Sequence, residues 1–558
     1  MPTGNRFFSS KWAGISLILL CLAIYLVPVT QYPLNRGEAM YARVPQEMLA
    51  TGHWLVPTLN GARYLDKPPL LYWINLLGYK ILGVSGETVR LPTLALTLGE
   101  IWLTYLIGLR LLGPRAAWLG TFVLFSCIGF FAHHFQILTD HLITLALVGA
   151  LYTFLRWQEQ GAFRWVVLFY LTMVAGFLSK GFIGLVFPIL ICSIYAWQQR
   201  QARLSSIFRP SWGMALALVL ILPWFVFAEQ ANPGFLRHQI VNEQIMRFLG
   251  QRQPPDVHPF PVPWFWFFLL LWLMPWAVLL PEALCRFWRD TGSGAADRRG
   301  RLLIIWAAVI LGFFTLSPSR LEYYSLPALP ALALILGWRA DRCLKDSHDR
   351  KLAWGLCTVS LLGLGILLLL PFLEQLFAEY RREFIGMCTL VKPIALWGTC
   401  LIPVLGLLGT WVGWRRPWLT FLSYGTLALV CLYFTYQTLV VLSPLISDKI
   451  PGEYLRLRAG PEDLVVMEGL EEFEHSASLI FYGRCRILVV KRNGFPQFPY
   501  PVPPTEDYLI TPERFKELWL GPRRVFLLVD SAAPTDPFLT GAPLALNLHG
   551  KRLLVNRP

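Results

Sequence analysis

Long apolar segments recur along this chain and limit its fold more strongly than any other feature of the sequence. Runs of about 17 to 25 mainly apolar residues follow one another from residue 13 to residue 442, and about 20 such residues cross a bilayer as a helix. Charged residues make up 15% of the 558 residues, whereas a soluble domain carries about 25%. The sequence therefore predicts a polytopic α-helical membrane protein.

About thirteen segments are candidates for membrane-spanning helices. They are residues 13–30, 90–110, 114–133, 137–157, 165–181, 182–198, 211–229, 263–283, 302–317, 323–338, 352–371, 394–413 and 418–442. No small-x-small cleavage site follows the first segment, so we expect it to be an uncleaved span and not a signal peptide.

Basic residues are concentrated in alternate connections between these segments, for example at Arg110 and Arg115 and at Arg415 and Arg416. Cytoplasmic loops carry an excess of Lys and Arg, so this pattern predicts a cytoplasmic N-terminus. An odd number of spans then leaves the C-terminal segment on the periplasmic side. The net charge of +15 is explained by this topology and by attraction to anionic lipid, and no nucleic-acid partner is predicted.

The chain divides into a membrane domain and a C-terminal domain. Residues 1–442 form the membrane domain, with long outer loops at 31–89 and 230–262, and residues 443–558 form a tail outside the membrane. The tail contains β-like runs and one helix-like run, at residues 464–467, 479–482, 487–490 and 525–529 and at 512–520 respectively. The tail is therefore predicted to be a small extracytoplasmic α/β domain.

The first outer loop carries a concentration of polar residues. Asp66 and Lys67 precede two prolines, which places an acid and a base in a stiff turn just before an apolar helix. Glu38 begins a stretch that continues into residues 44–49, a predicted amphipathic helix in the membrane interface. The alternative is an ordinary solvated loop.

Other ionisable residues are expected at the same membrane face. Asp140 and Lys180 lie at the outer ends of the fourth and fifth predicted spans, and ionisable groups beside spans are costly and usually functional. The second outer loop and the hairpin after the ninth span add Glu243, Arg247, Arg252, His258, Arg320 and Tyr324. Cationic side chains suit a lipid phosphate, and carboxylates suit general-base chemistry or a metal. The set predicts chemistry on a lipid-linked phosphate at the outer face.

The run from Glu38 to Trp73 resembles the first loop of the membrane-embedded GT-C glycosyltransferases. The likeness is strongest to the aminoarabinose transferases that modify lipid A and weaker to the protein O-mannosyltransferases. The matching pieces are Glu38, Tyr41-Ala42, Glu47-Met48-Leu49, Gly52-His53-Trp54, Pro57, Asn60-Gly61, Tyr64, Asp66-Lys67-Pro68 and Tyr72-Trp73. They are followed in the expected order by Asp140, Ser179-Lys180-Gly181, Glu243, Arg247-Phe248, Arg320-Leu321 and Tyr324. The resemblance covers about residues 13–340.

This resemblance implies an inverting glycosyltransferase of the bacterial inner membrane. The donor would be a sugar on a polyprenyl phosphate, undecaprenyl phosphate in bacteria, and the acceptor a lipid or glycolipid such as lipid A phosphate. The active site would be periplasmic. The resemblance also implies roles for individual residues: Glu38 and Asp140 in catalysis; Lys67, Arg247 and Lys180 at the lipid phosphate; Tyr41, Tyr64, Arg320 and Tyr324 at the sugar; and Asp66, His258 and Glu243 at a divalent Zn, Mg or Mn ion.

The sequence departs from the family pattern at two positions. The family usually has a catalytic Asp where this chain has Gly37, and an Arg where it has Met40. Either Glu38 or Asp140 takes the catalytic role, or the acceptor is already ionised and needs no base. Three alternatives remain: a weakened paralogue that binds lipid without transfer, a protein O-mannosyltransferase-like enzyme, and a transporter or flippase of a lipid-linked or anionic substrate. The concentration of charge at span ends disfavours transport.

Overall fold

The structure is a computed structural model of the whole chain. It describes residues 7–8, 10–199, 212–252, 260–291, 297–346, 348–380, 382–468, 477–490, 508–530, 536–548 and 550–557, with the side chains of 370–388 excepted. Every structural statement below refers to these residues.

Helices make up most of the described chain. In chain order they are α1 Lys11–Gln31, α2 Arg36–Thr51, α3 Leu70–Leu82, α4 Arg90–Leu111, α5 Pro114–Ser126, α6 Ile128–His134, α7 Thr139–Gln160, α8 Phe163–Lys180, α9 Ile183–Gln199, α10 Trp212–Ala231, α11 Val262–Trp272, α12 Leu280–Asp290, α13 Arg301–Leu316, α14 Leu329–Lys345, α15 Lys351–Tyr380, α16 Arg382–Gly413, α17 Pro417–Ile446, α18 Lys449–Arg458, α19 Ala477–Gly483 and α20 Pro512–Leu520. A π-helical segment, Arg237–Met246, runs into the single α turn Arg247–Leu249. Short 3-10 turns lie at Trp276–Leu279, Asp297–Gly300, Glu322–Ala328 and Pro537–Leu539.

Each of the thirteen predicted spans overlaps helical chain. Seven helices among the described residues are long and apolar enough to cross a membrane, and two bent pairs raise this number to nine. The bent pairs are α5 with α6, at 61°, and α11 with the segment Trp276–Asp290, at 104°. Helices α9, α13 and α14 have 17, 16 and 17 residues, and α7 carries charged residues near both ends. The polytopic helical fold is confirmed, while the count of about thirteen spans stays a prediction.

The C-terminal region forms a six-stranded mixed sheet. Its strands are β3 Leu464–Glu468, β4 Leu488–Val490, β5 Leu509–Ile510, β6 Val525–Asp530, β7 Leu544–Leu548 and β8 Lys551–Val555, after a small hairpin, β1 Thr58–Leu59 and β2 Ala62–Arg63, in the first loop. The order is β5-β4-β3-β6-β8-β7, with the first four strands parallel and β8 antiparallel to both its neighbours. The small α/β domain is confirmed.

One predicted strand of the tail is wrong. Residues 479–482 belong to helix α19, where Ala477, Leu479, Ile480 and Phe481 are all buried. A short run of buried apolar residues has no periodicity that separates a strand from a helix, which explains the error. Helix α20 begins and ends at the predicted residues.

Helix α2 organises the first outer loop. Asn35 caps it, since the Asn35 side chain accepts from the Glu38 N–H while the Glu38 carboxylate accepts from the Asn35 N–H. Much of the helix is buried, including Val44, Pro45 and Met48, and it packs against α3 and α19. The expected amphipathic helix is therefore covered by protein and does not lie free on the membrane.

Candidate active site

Six ionisable side chains from the two outer loops meet in one place. This group, called the outer-loop cluster below, consists of Asp66, Lys67, His238, Glu243, Arg247 and Arg252. The first two residues come from the turn before α3, and the others from the π-helical segment and the residues after it. The structure thus brings together residues that lie more than 150 positions apart in the sequence.

Three cations converge on the buried carboxylate of Glu243. Arg252 donates from Nε to Glu243 Oε1 at 2.6 Å, and Arg247 donates to Oε2 at 2.8 Å. The Lys67 ammonium lies 4.0 Å from the same Oε2 atom. With Asp66 as the second carboxylate, three cations face two carboxylates. The cluster therefore carries excess positive charge even when His238 is neutral. Such a site favours an anion.

Asp66 and Lys67 are both perturbed by this environment. Burial opposes ionisation of Asp66, but a hydrogen bond with His238 and the charges of Lys67 and Arg252 outweigh it and lower the pKa of the carboxyl well below its usual range. Burial, together with repulsion from Arg247, lowers the pKa of Lys67 from 10.5 to about 8. Asp66 is therefore ionised at neutral pH, and Lys67 loses its charge at a lower pH than a solvated lysine does.

The π-helical backbone explains why His238 belongs to the cluster. In a π-helix the hydrogen bonds join residues five apart, so His238 and Glu243 lie on the same side, with Nε2 3.9 Å from Glu243 Oε1. His238 is not among the residues predicted from the sequence, since residues five apart do not share a face of an α-helix. π-helical turns are frequent at functional sites, but no motif in the sequence marked this one.

A divalent ion was expected at Asp66, His258 and Glu243. In the structure Asp66, His238 and Glu243 each offer one ligand atom, and these atoms lie within 4.8 Å of one another. Two carboxylates and an imidazole form a donor set that suits Zn²⁺ or Mn²⁺. Arg252 contacts both carboxylates, so an ion must displace its guanidinium. The three residues therefore fit a metal ion once Arg252 has moved away from the two carboxylates. The predicted ligand His258 lies outside the described residues.

A second charged pair adjoins the outer-loop cluster. Lys180, the last residue of α8, donates to Asp140 Oδ1 at 2.6 Å, and its Nζ lies 4.3 Å above the ring centre of Tyr324. The chain just after Lys180 contacts the π-helical segment, since Gln244 Oε1 accepts from the Phe182 N–H at 3.2 Å. The predicted residues Asp140, Lys180 and Tyr324 are thus close to each other, and the segments that carry Lys180 and Glu243 are in contact.

Glu38 occupies a different kind of position. It is 1% exposed, and both of its oxygens accept hydrogen bonds from Arg90, at 2.9 and 2.7 Å. The same carboxylate also accepts from the backbone N–H groups of Asn35 and Ile137. A general base needs an oxygen free to take a proton. The geometry therefore favours a structural role for Glu38, and its predicted role in catalysis stays a prediction.

The remaining predicted sugar contacts are mostly buried or bonded to the backbone. Tyr41 and Tyr64 are each 8% exposed and pack in the same apolar cluster under α2. Arg320 donates to the carbonyl oxygens of Phe314, Thr315 and Phe260, which ties the end of α13 to the start of α11. These contacts favour a packing role for Arg320, and all three sugar assignments stay predictions.

Gly37 lies exposed in the first turn of α2. A Cβ atom there would meet only the Asn35 side chain, at 3.4 Å, so an aspartate would fit without steric conflict. The replacement of the family's acid by glycine is therefore not required by packing, and nothing in the structure explains it.

Comparison with known proteins gives one family-model match and a series of relatives. The model of the dolichyl-phosphate-mannose-protein mannosyltransferases matches residues 66–227. An undecaprenyl phosphate-alpha-4-amino-4-deoxy-L-arabinose arabinosyl transferase of Aeromonas salmonicida is 31% identical over 386 residues, 67% of this chain and 68% of that one. A protein of the same name from Pseudomonas fluorescens is 28% identical over 420 residues, 71% of this chain and 74% of that one.

The fold is also that of a solved structure. The crystal structure of ArnT from Cupriavidus metallidurans bound to undecaprenyl phosphate superposes with a TM-score of 0.80, with 98% of both chains covered and 21% identity. This likeness concerns the fold, while the sequence relatives confirm the predicted resemblance and support transfer over transport. The chain therefore belongs to the undecaprenyl phosphate-aminoarabinose arabinosyl transferase family and is a glycosyltransferase of the inner membrane.

Proposed function

We propose that this protein transfers 4-amino-4-deoxy-L-arabinose from undecaprenyl phosphate to an acceptor outside the cytoplasm. The observation that carries the proposal is the convergence of Lys67, Arg247 and Arg252 on Glu243. Excess positive charge at this point suits the phosphate of a lipid-linked donor. The donor named for the relatives from Aeromonas and Pseudomonas supports the choice of sugar and lipid.

The reaction is a displacement at the anomeric carbon. The acceptor oxygen attacks from the face opposite the lipid phosphate, the bond between the anomeric carbon and the phosphate oxygen breaks, and the configuration inverts. The phosphate leaves with the electron pair and gains negative charge. Lys67, Arg247 and Arg252 neutralise this charge, and such placement of positive charge is usually a large contribution to catalysis.

The cations are held in advance, which lowers the cost of this arrangement. Each donates to, or faces, a carboxylate of the cluster, so their positions are set before the phosphate arrives. When the phosphate binds, the cations can turn part of their hydrogen bonding from Glu243 towards it. A divalent ion at Asp66, His238 and Glu243 would add further positive charge at the same place.

The acceptor determines whether a base is needed. Asp140 is paired with Lys180, and we propose it as the carboxylate that takes a proton from a hydroxyl acceptor. A phosphate acceptor, as on lipid A, is already ionised and needs no base, which is consistent with Gly37 in place of the family's acid.

In this proposal the tail and both outer loops lie on the periplasmic side of the membrane, opposite the cytoplasmic N-terminus.

The experiment is sugar transfer from radiolabelled undecaprenyl phosphate-aminoarabinose to lipid A by the purified protein in nanodiscs. Lys67→Ala is compared with Lys80→Ala, because Lys80 lies in the same loop but stacks on Trp54 at 3.9 Å, outside the cluster. We expect Lys67→Ala to lose about tenfold or more in transfer, the equivalent of one charge-assisted hydrogen bond, and Lys80→Ala to remain active. Absence of transfer by the folded wild type, with several lipid-linked sugars offered, would refute the proposal.

A further inference from the structure

The tip of the first loop is held by the C-terminal domain through one asparagine. The Asn60 side chain donates from Nδ2 to the carbonyl oxygen of Ile487 at 2.9 Å, and its Oδ1 accepts from the Ile487 N–H at 3.1 Å. Asn60 is 1% exposed, and Ile487 directly precedes strand β4. The side-chain amide therefore pairs with a peptide group of the domain as a neighbouring strand would.

The backbone at the same position forms the two-residue turn between β1 and β2. Asn60 has a φ of +58°, in the left-handed region that Asn and Gly tolerate and other residues rarely adopt. The N–H groups of Asn60 and Gly61 both donate to the Glu47 carboxylate, at 2.8 and 3.1 Å. Glu47 on α2 thus supports the turn from inside while Ile487 holds it from the domain.

A short buried stretch of chain connects the turn to the outer-loop cluster. The Tyr64 N–H donates to the Pro57 carbonyl at 2.8 Å, which closes the hairpin of β1 and β2. Leu65 follows and is 3% exposed, and the next two residues are Asp66 and Lys67. Only six or seven residues therefore separate Asn60 from the acid and base of the cluster.

From these contacts we infer that Asn60 is a positioning residue, through which the C-terminal domain holds Asp66 and Lys67 in place for the donor phosphate. The inference rests on the proposed function for the identity of the ligand. It gives the C-terminal domain a part in donor binding without any contact of its own with the lipid. A misplacement of about 1 Å at a reacting group costs up to about a hundredfold in rate, so an anchor at this distance has measurable consequences.

Two substitutions separate the effect of the Asn60 side-chain amide from the effect of its backbone conformation. Asn60→Gly keeps the positive φ and removes the side-chain amide, whereas Asn60→Asp keeps the shape and puts an oxygen against the Ile487 carbonyl. Asn556→Asp is the matched control, because the Asn556 amide also bonds to backbone groups, those of Trp519, Arg523 and Val525, but entirely within the C-terminal domain.

The readouts are hydrogen exchange and donor binding by the full-length protein in nanodiscs. Both Asn60 variants should exchange faster at the N–H groups of Asn60, Gly61 and Tyr64. They should also bind undecaprenyl phosphate about fivefold or more weakly, a loss equivalent to part of one charge-assisted hydrogen bond. KM for the donor should rise more than kcat falls. Asn556→Asp should leave both readouts at the wild-type values.

Several results would overturn the inference. Unchanged exchange at the hairpin in Asn60→Gly would show that the domain does not hold it, and faster exchange with unchanged donor affinity would show that the anchor does not act on the site. An equal loss of affinity in Asn556→Asp would indicate general destabilisation. If the wild type binds no undecaprenyl phosphate, the proposed function fails, and the exchange result still decides whether Asn60 anchors the loop.

Discussion

Replacing Glu38 by Gln tests whether this carboxylate holds the loop or performs catalysis. Glu38 and Arg90 have side chains that are 0% and 1% exposed and lie 2.7 Å apart. Removing one partner of a buried ion pair leaves an uncompensated charge and costs about 3–5 kcal/mol. The amide of Gln also places N–H donors against the donors of Arg90 or Asn35. We expect Glu38→Gln to lower the unfolding temperature by several degrees in a nanodisc.

A substitution at Arg90 completes a double-mutant cycle with Glu38→Gln. Arg90 also donates to the carbonyl oxygens of Tyr32 and Pro33, so Arg90→Gln removes the charge and keeps an amide for these groups. The double variant Glu38→Gln with Arg90→Gln leaves no buried charge unpaired. Its loss of stability should be smaller than the sum of the two single losses by about 0.5–3 kcal/mol.

Transfer activity distinguishes the two roles of Glu38. Below the unfolding temperature, the activity of folded Glu38→Gln should fall by less than the 10²–10⁴-fold that a lost general base costs. A variant with the wild-type unfolding temperature and a hundredfold loss of transfer would refute the structural interpretation. It would return Glu38 to the catalytic role expected from the sequence.

Three further predictions concern the charged groups of the site. The pKa of Lys67 is lowered to about 8, so its positive charge is largely present at pH 7 and is lost as the pH rises through the pKa. Affinity for undecaprenyl phosphate, measured from pH 7 to 10, should therefore fall above pH 8 by at most about tenfold per pH unit and stay flat in Lys67→Arg. Asp140→Asn should reduce kcat for a hydroxyl acceptor by about 10²-fold or more and affect a phosphate acceptor far less; equal losses for both acceptors would rule out a base. Zn²⁺ or Mn²⁺ should raise the unfolding temperature of the wild type but not of His238→Ala, and an equal shift in both would exclude His238 as a ligand.

The parts of the fold that depend on local pattern were predictable from the sequence. Long apolar runs predicted the helices, and Asp66 and Lys67 before two prolines predicted the turn that opens α3. The bend between α5 and α6 was not predictable, because the break falls inside a continuous apolar run. An apolar run predicts which residues avoid water, but it does not predict where a helix changes direction.

The composition of the site was predictable only in part. Glu243, Arg247 and Arg252 were identified in the second outer loop, but the contact of Arg252 with Asp66 spans 186 positions of sequence and was not predictable. His238 was not identified, because its place in the cluster depends on a π-helical turn. For Glu38, burial and pairing with Arg90 appear only after the chain has folded. A carboxylate in a polar loop has the same sequence pattern whether it is solvated, catalytic or paired.

The most direct test of the central claim is the affinity of the protein for undecaprenyl phosphate itself. Wild type, Arg247→Ala and Arg514→Ala are compared in nanodiscs; Arg514 is the control because its ion pair with Glu517 lies on the exposed face of α20. The account predicts that Arg247→Ala binds about tenfold or more weakly, as expected for one lost charge-assisted contact, and that Arg514→Ala binds as the wild type does. Equal affinity of all three proteins would contradict the claim that this cluster receives the lipid phosphate.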